Sequence, residues 1–248
     1  MPFGDHLAIS IGFFTGILPA VALVFETLKE YDPYYKDEHF SILMVIGLIV
    51  GVPTALFFYW SLIYLAPINN ILVLSVICFF IAIYELLLLT IILSMKRFGG
   101  DYDLTYYGVV LSGCLAGVII MFCVYLFVRS NDLSSQALLS LGLLIPTMPL
   151  MYISLGSLLG YGIFKAKFLK YASLFVIIKT IFNGLFLLWF IFFLFSPPEY
   201  GWELMAIALI FSIFMYYYSY KRILPDALPP KLKKHRRRSK RKDLKLLE

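Results

Sequence analysis

Charge is the scarce ingredient of this chain. Asp, Glu, Lys and Arg make up 15% of the 248 residues, where soluble domains carry about a quarter. Apolar side chains reach 61% and fall in long unbroken runs. That excludes a soluble globular fold and points to a polytopic membrane protein. No polar stretch is long enough to bury a core of its own. Histidine is equally rare. His6, His39 and His235 all lie outside the apolar runs, and no HExxH pair is present, so neither a protein-ligated metal nor another cofactor is expected. Cys78, Cys114 and Cys123 sit inside apolar runs with no CxxC spacing. A disulfide framework is therefore excluded, and they read as small buried apolar side chains. A basic leader before the first apolar run is missing too, so that run reads as a membrane helix rather than a cleaved signal.

What is present is an all-α bundle. Seven apolar stretches approach the roughly 20 residues that cross a bilayer core: about 7–28, 40–64, 70–94, 106–128, 147–164, 171–195 and 202–220. Ahead of the fifth, Gln136 to Ile145 is also apolar and is followed by Pro146 and Pro149. That piece is either an extra short span or part of a helix started or kinked by the prolines. Basic residues alternate between loops. Lys29 and Lys36, Lys96 and Arg97, and Lys165, Lys167 and Lys170 occupy one side, whereas Arg129 stands alone on the other. Seven spans with that asymmetry predict an N-terminus outside and a C-terminus in the cytoplasm, in a multi-pass protein of the cell membrane. The chain divides into a bundle over 1–222 and a basic tail over 223–248.

Three spans carry glycines four residues apart: Gly47 and Gly51, Gly113 and Gly117, Gly156 and Gly160. Such a stripe lets a neighbouring helix approach closely, either within the protomer or on a partner membrane protein.

Two charges lie deep in the apolar runs. At 1.5 Å rise per residue, Glu85 sits roughly 15 Å and Lys179 roughly 12 Å from the same membrane face. Tyr152 and Asn183 fall at comparable levels. A carboxylate or ammonium at mid-membrane costs about 2.5–3.5 kcal/mol on insertion scales and marks a functional site by default. Opposite charges at one depth suggest that the two meet. Four readings stay open for this layer. It is a buried ion pair fixing helix register, a catalytic carboxylate, an ion or proton relay, or a contact to a partner or a water-filled groove.

The order of motifs adds a resemblance. The chain runs LPAVALVF, then YDPYYKDEHFSILMVIGLIVG, then YELLL at Tyr84 to Leu88. Asp103 leads into LTYYG, and GSLLGYGIF and KTIFN (Lys179 to Asn183) follow. From about Leu18 to Trp189 this resembles the PrsW family of intramembrane proteases, in the group that includes CAAX-type proteases and the APH scaffold subunit of γ-secretase. The family's skeleton positions are kept at Asp103, Tyr107, Gly108, Gly160, Tyr161 and Asn183. Its chemical positions are not. The paired glutamates become Tyr84 and Glu85, and the motif lysine becomes Leu88. The second-motif glutamate falls on Ile119, and the two histidines fall on Tyr152 and Lys179.

Peptide hydrolysis needs a base for water and donors for the oxyanion. Isoleucine supplies neither, and a lysine beside Glu85 competes with its use as a base. A Ser–Lys dyad would need Ser154 or Ser157 beside Lys179. The resemblance therefore implies a member without catalysis, a membrane scaffold or binding protein. A proteolytic member using Glu85, and a small transporter or channel, are the alternatives. A related seven-helix protein of the eukaryotic multipass translocon implies a place near ribosomes. The tail fits that place. From Lys231 to Lys245 it holds ten basic residues and one acid. Lys231, Lys233, Lys234, Arg236, Arg237, Arg238, Lys240, Arg241 and Lys242 would bind a polyanion, either anionic lipid headgroups or ribosomal RNA.

Overall fold

A computed structural model describes residues 3–34, 37–65, 71–95, 103–129, 135–195, 201–228 and 233. Its elements are helical, with no strand among the described residues. Helices α1 (Phe3–Gly12) and α2 (Leu18–Leu28) are joined by one π-helical turn, Phe13–Ile17, and form the first span. Then follow α3 (Asp37–Leu65), α4 (Ile71–Leu93), α5 (Leu104–Arg129), α6 (Ser135–Phe164) and α7 (Phe168–Phe195). The last span is α8 (Gly201–Tyr218), a second π turn (Ser219–Ile223) and the short α9 (Leu224–Ala227). Among the described residues, seven helical segments of 22 to 27 residues are long and apolar enough to cross a membrane. Leu72, Ile91, Phe14, Ile49, Ile210 and Phe214 project from the outside of the bundle. Apolar surface on that scale belongs against lipid tails rather than water.

Two boundaries differ from the sequence expectation. The fifth span does not begin at 147. α6 runs unbroken from Ser135 through both Pro146 and Pro149, so Gln136 to Ile145 is its first half and not an extra span. Proline inside a membrane helix is tolerated where neighbouring packing and hydroxyls re-satisfy the backbone. The carbonyls that lose an N–H partner are those of Gly142 and Ile145, four residues before each proline, and the helix stays continuous across both. The last span likewise continues beyond 220, through the π turn to Ala227.

The bundle is organised around α5. Every residue from Asp103 to Ile120 is buried. α6 and α3 pack along it, with α1 and α2 on a further side. α4 and α7 pair with each other, and α7 and α8 lean on α6. The glycine stripes explain how α5 collects so many neighbours. A β-carbon on Gly108 would lie 2.1 Å from the Gly156 carbonyl oxygen, and one on Gly160 would lie 2.1 Å from that of Leu104. Nothing larger than hydrogen fits where α5 crosses α6. Gly47 and Gly51 face Leu111 and Val118 of α5. Gly113 faces Val24 and Ile153, and Gly117 faces Ala20 and Ile17. All six glycines are thus used inside the protomer, and none of these stripes is left open for a partner helix. The three cysteines are free and buried.

Candidate functional site

Helices α4, α6 and α7 bring the polar layer together. Lys179 Nζ of α7 lies 2.9 Å from Glu85 Oε2 of α4. The other carboxylate oxygen, Oε1, accepts a hydrogen bond of 2.7 Å from the Tyr152 hydroxyl of α6. Lys179 and Glu85 are 0% and 1% exposed. The lysine thus meets the carboxylate at ion-pair distance. Its remaining surroundings are aromatic. The ammonium stands 3.5 Å from the Tyr152 ring centroid, 5.3 Å from that of Phe182 and 5.8 Å from that of Phe58. Ring faces attract a cation most strongly where water is excluded. Tyr152 therefore serves both charges, its hydroxyl the anion and its ring the cation.

Asn183 joins the layer one helical turn from Lys179. Its Nδ2 donates 3.3 Å to the Cys78 carbonyl of α4. This ties α7 to α4 a second time, two turns before Glu85. Ile119, the position where the resemblance places a second glutamate, is buried. It shares an apolar groove with Phe58, Phe122 and Phe186. Phe58 thus lines this groove and also neighbours Lys179, a place the sequence did not reveal because nothing separates it from the other 22 phenylalanines.

The hydroxyls near the layer point elsewhere. Ser154 donates 2.6 Å to the Leu150 carbonyl. Ser157 donates 2.8 Å to the Ser154 carbonyl and meets the Ser219 hydroxyl of the last span. Neither is presented to Lys179 as a Ser–Lys dyad would require. Several of the positions that carry the resemblance lie at helix contacts. Gly108 and Gly160 set the α5–α6 crossing. The Tyr107 hydroxyl meets His39 Nδ1 at 3.1 Å, linking α5 to α3. Backbone N–H groups of Tyr106 and Tyr107 donate to the Asp103 carbonyl at the start of α5.

In this arrangement each carboxylate oxygen of Glu85 faces a side-chain partner. A general base needs a carboxylate lone pair facing a water within reach of a substrate carbonyl. Glu85 has one oxygen on a phenol, the other on an ammonium, and almost no exposed surface. A buried pair of this kind gives modest net stability, yet removing one partner strands a charge at large cost. Of the proposed polyanion-binding residues, only Lys233 belongs to the described part of the structure. Lys231, Lys234, Arg236, Arg237, Arg238, Lys240, Arg241 and Lys242 lie outside it. No protein-family model, curated protein or solved structure matches this chain.

Proposed function

We propose that this chain is a non-catalytic, PrsW-like integral membrane protein that works by binding, as a scaffold in the cell membrane. The observation that carries the reading is the closure of Glu85 between Lys179 and Tyr152, at 2.9 and 2.7 Å. By the resemblance, these three positions are those of the family's motif glutamate and its two histidines. Their side chains touch, as positions inherited from one active site would. The residues now standing there make an ion pair instead of a water-activating set. The fourth position, Ile119, is apolar and buried. In this reading the pair locks α4, α6 and α7 into one register, and the bundle presents a rigid surface to partners. The tail after Pro230 faces the cytoplasm and meets a polyanion, either lipid headgroups or the RNA of a membrane-bound ribosome.

Purified protein in lipid, incubated with candidate membrane substrates, tests the reading. The substrates remain intact. Cleavage that disappears in Glu85→Gln overturns the scaffold and installs a protease using Glu85. For the tail, sedimentation with ribosomes at low salt, lost as salt rises, supports the ribosomal partner. Sedimentation unchanged by removing the tail's charges refutes it.

A further inference from the structure

A second polar site lies at the opposite extreme of burial. The end of α6, the start of α7 and the π turn Ser219–Ile223 enclose a cavity of about 510 Å³, within the size range of small-molecule sites. Three phenol rings line it, Tyr161, Tyr171 and Tyr218, together with the cations Lys221, Arg222 and Lys233. Tyr161 and Tyr171 meet edge to face, with centroids 5.2 Å apart. One carboxylate, Asp226, stands among them. It accepts a hydrogen bond from the Tyr161 hydroxyl and pairs with Lys233 at 2.5 Å and Lys165 at 3.8 Å. Two lysines thus neutralise the single acid. Lys221 and Arg222 make no ion pair among the described residues, so the cavity keeps a surplus of positive charge.

We propose that this pocket binds the phosphorylated polyol headgroup of an anionic membrane lipid. Arg222 offers a planar fork suited to two phosphate oxygens, and Lys221 adds a mobile point charge. The tyrosines supply ring faces for the C–H surface of a cyclic polyol and hydroxyls for its alcohol groups. A bare phosphate would fill little of this volume, which is why a ring-bearing headgroup fits better. The pocket is built at the ends of membrane-spanning helices, from the last turn of α6 and the start of α7. Leu169 and Tyr217, close in sequence to the pocket's Tyr171 and Tyr218, are exposed to 81% and 62%. Exposed apolar and aromatic groups beside a basic rim are the pattern of the headgroup layer. A lipid would leave its acyl chains on the apolar flank of the bundle, a contact that a soluble phosphate ester cannot make. This proposal does not depend on whether the buried Glu85 pair is catalytic.

Full-length protein in phosphatidylcholine nanodiscs is titrated calorimetrically with three probes. These are short-chain phosphatidylinositol 4-phosphate, short-chain phosphatidylglycerol and soluble inositol 1,4-bisphosphate. The phosphorylated inositol lipid binds about tenfold tighter than either of the others, because only it offers phosphate, ring and chains together. Lys221→Gln with Arg222→Gln weakens that lipid about tenfold. Asp226→Asn tightens it about threefold, since the competing carboxylate is gone and Lys233 is released. A gain of affinity cannot come from misfolding, so this variant stays informative if the double change folds poorly. Replacing Arg236, Arg237 and Arg238 with Gln leaves the preference among probes in place. Equal affinity for the two lipids, unchanged binding by the folded double variant, weaker binding by Asp226→Asn, or loss of the preference in the tail variant each overturns the proposal. Soluble bisphosphate binding as tightly as the lipid overturns it as well and gives the site to a soluble phosphate ester.

Discussion

Two carboxylates in this bundle are built from the same parts. Glu85 receives the hydroxyl of Tyr152 and the ammonium of Lys179. Asp226 receives the hydroxyl of Tyr161 and the ammoniums of Lys165 and Lys233. Both tyrosines belong to α6. The difference is access: Glu85 is 1% exposed and Asp226 51%. In the apolar interior nothing else can solvate the charges, so each partner is indispensable and the set is locked. At the bundle's end, water and ions compete with every contact, so partners can exchange. One constellation is therefore closed in one place and lines an open cavity in the other. Burial, not residue type, assigns the role.

The largest expected effect tests the locked set. Lys179→Met strands Glu85 in an apolar interior and costs about 3–5 kcal/mol of stability. Glu85→Gln strands the lysine and is costly in the same way. The double change recovers part of the loss, because the pairing energy is shared between the two residues. Thermal unfolding in detergent or lipid measures all three proteins. Losses that simply add would show that the two charges are not coupled, and the contrast between the clusters would collapse.

A smaller effect separates the two tyrosines. Tyr152→Phe keeps the ring under Lys179 but leaves Glu85 Oε1 without its donor, at a cost of about 1.5–3 kcal/mol. Tyr161→Phe removes the equivalent donor beside a half-exposed carboxylate that water can reach, and costs under about 1 kcal/mol. Comparable melting shifts for the two variants would mean that access does not set the energetics.

The smallest effect belongs to Asp226→Asn. Its ion pairs are exposed and screened by salt, so unfolding stability changes by about 0–1 kcal/mol. Raising the ionic strength shrinks that difference further, while leaving the cost of Lys179→Met nearly unchanged. A salt-sensitive Lys179→Met would indicate that the inner pair is reached by solvent.

Much of the architecture was legible in the residues. Hydropathy located the seven spans because each must present about 20 apolar residues to lipid, whatever its neighbours are. The rise per residue placed Glu85, Lys179 and Tyr152 near one depth, and isolated charges at that depth need partners. The glycine pairs announced close helix crossings. Less could be read where the signal depends on context. Pro146 and Pro149 marked a break in isolation, yet α6 continues through them because packing against its neighbours holds its backbone. The end of the last span was hidden as well, since a π turn carrying Lys221 and Arg222 looks like the start of a polar tail.

The sequence by itself determined that this is a helical membrane protein and how its polar groups are layered by depth, because apolar length and rise per residue are local properties of the chain. Only the tertiary structure decided which groups in a layer touch. Whether Lys179 turns toward Glu85, which face of Tyr152 it meets, and that Asp226 folds back onto α6 all depend on the rotation and crossing of helices about α5. Those crossings are set by contacts between residues far apart in the chain, such as Gly108 against Gly156. That is also why one set of side chains became a closed pair at the centre and an open pocket at the end.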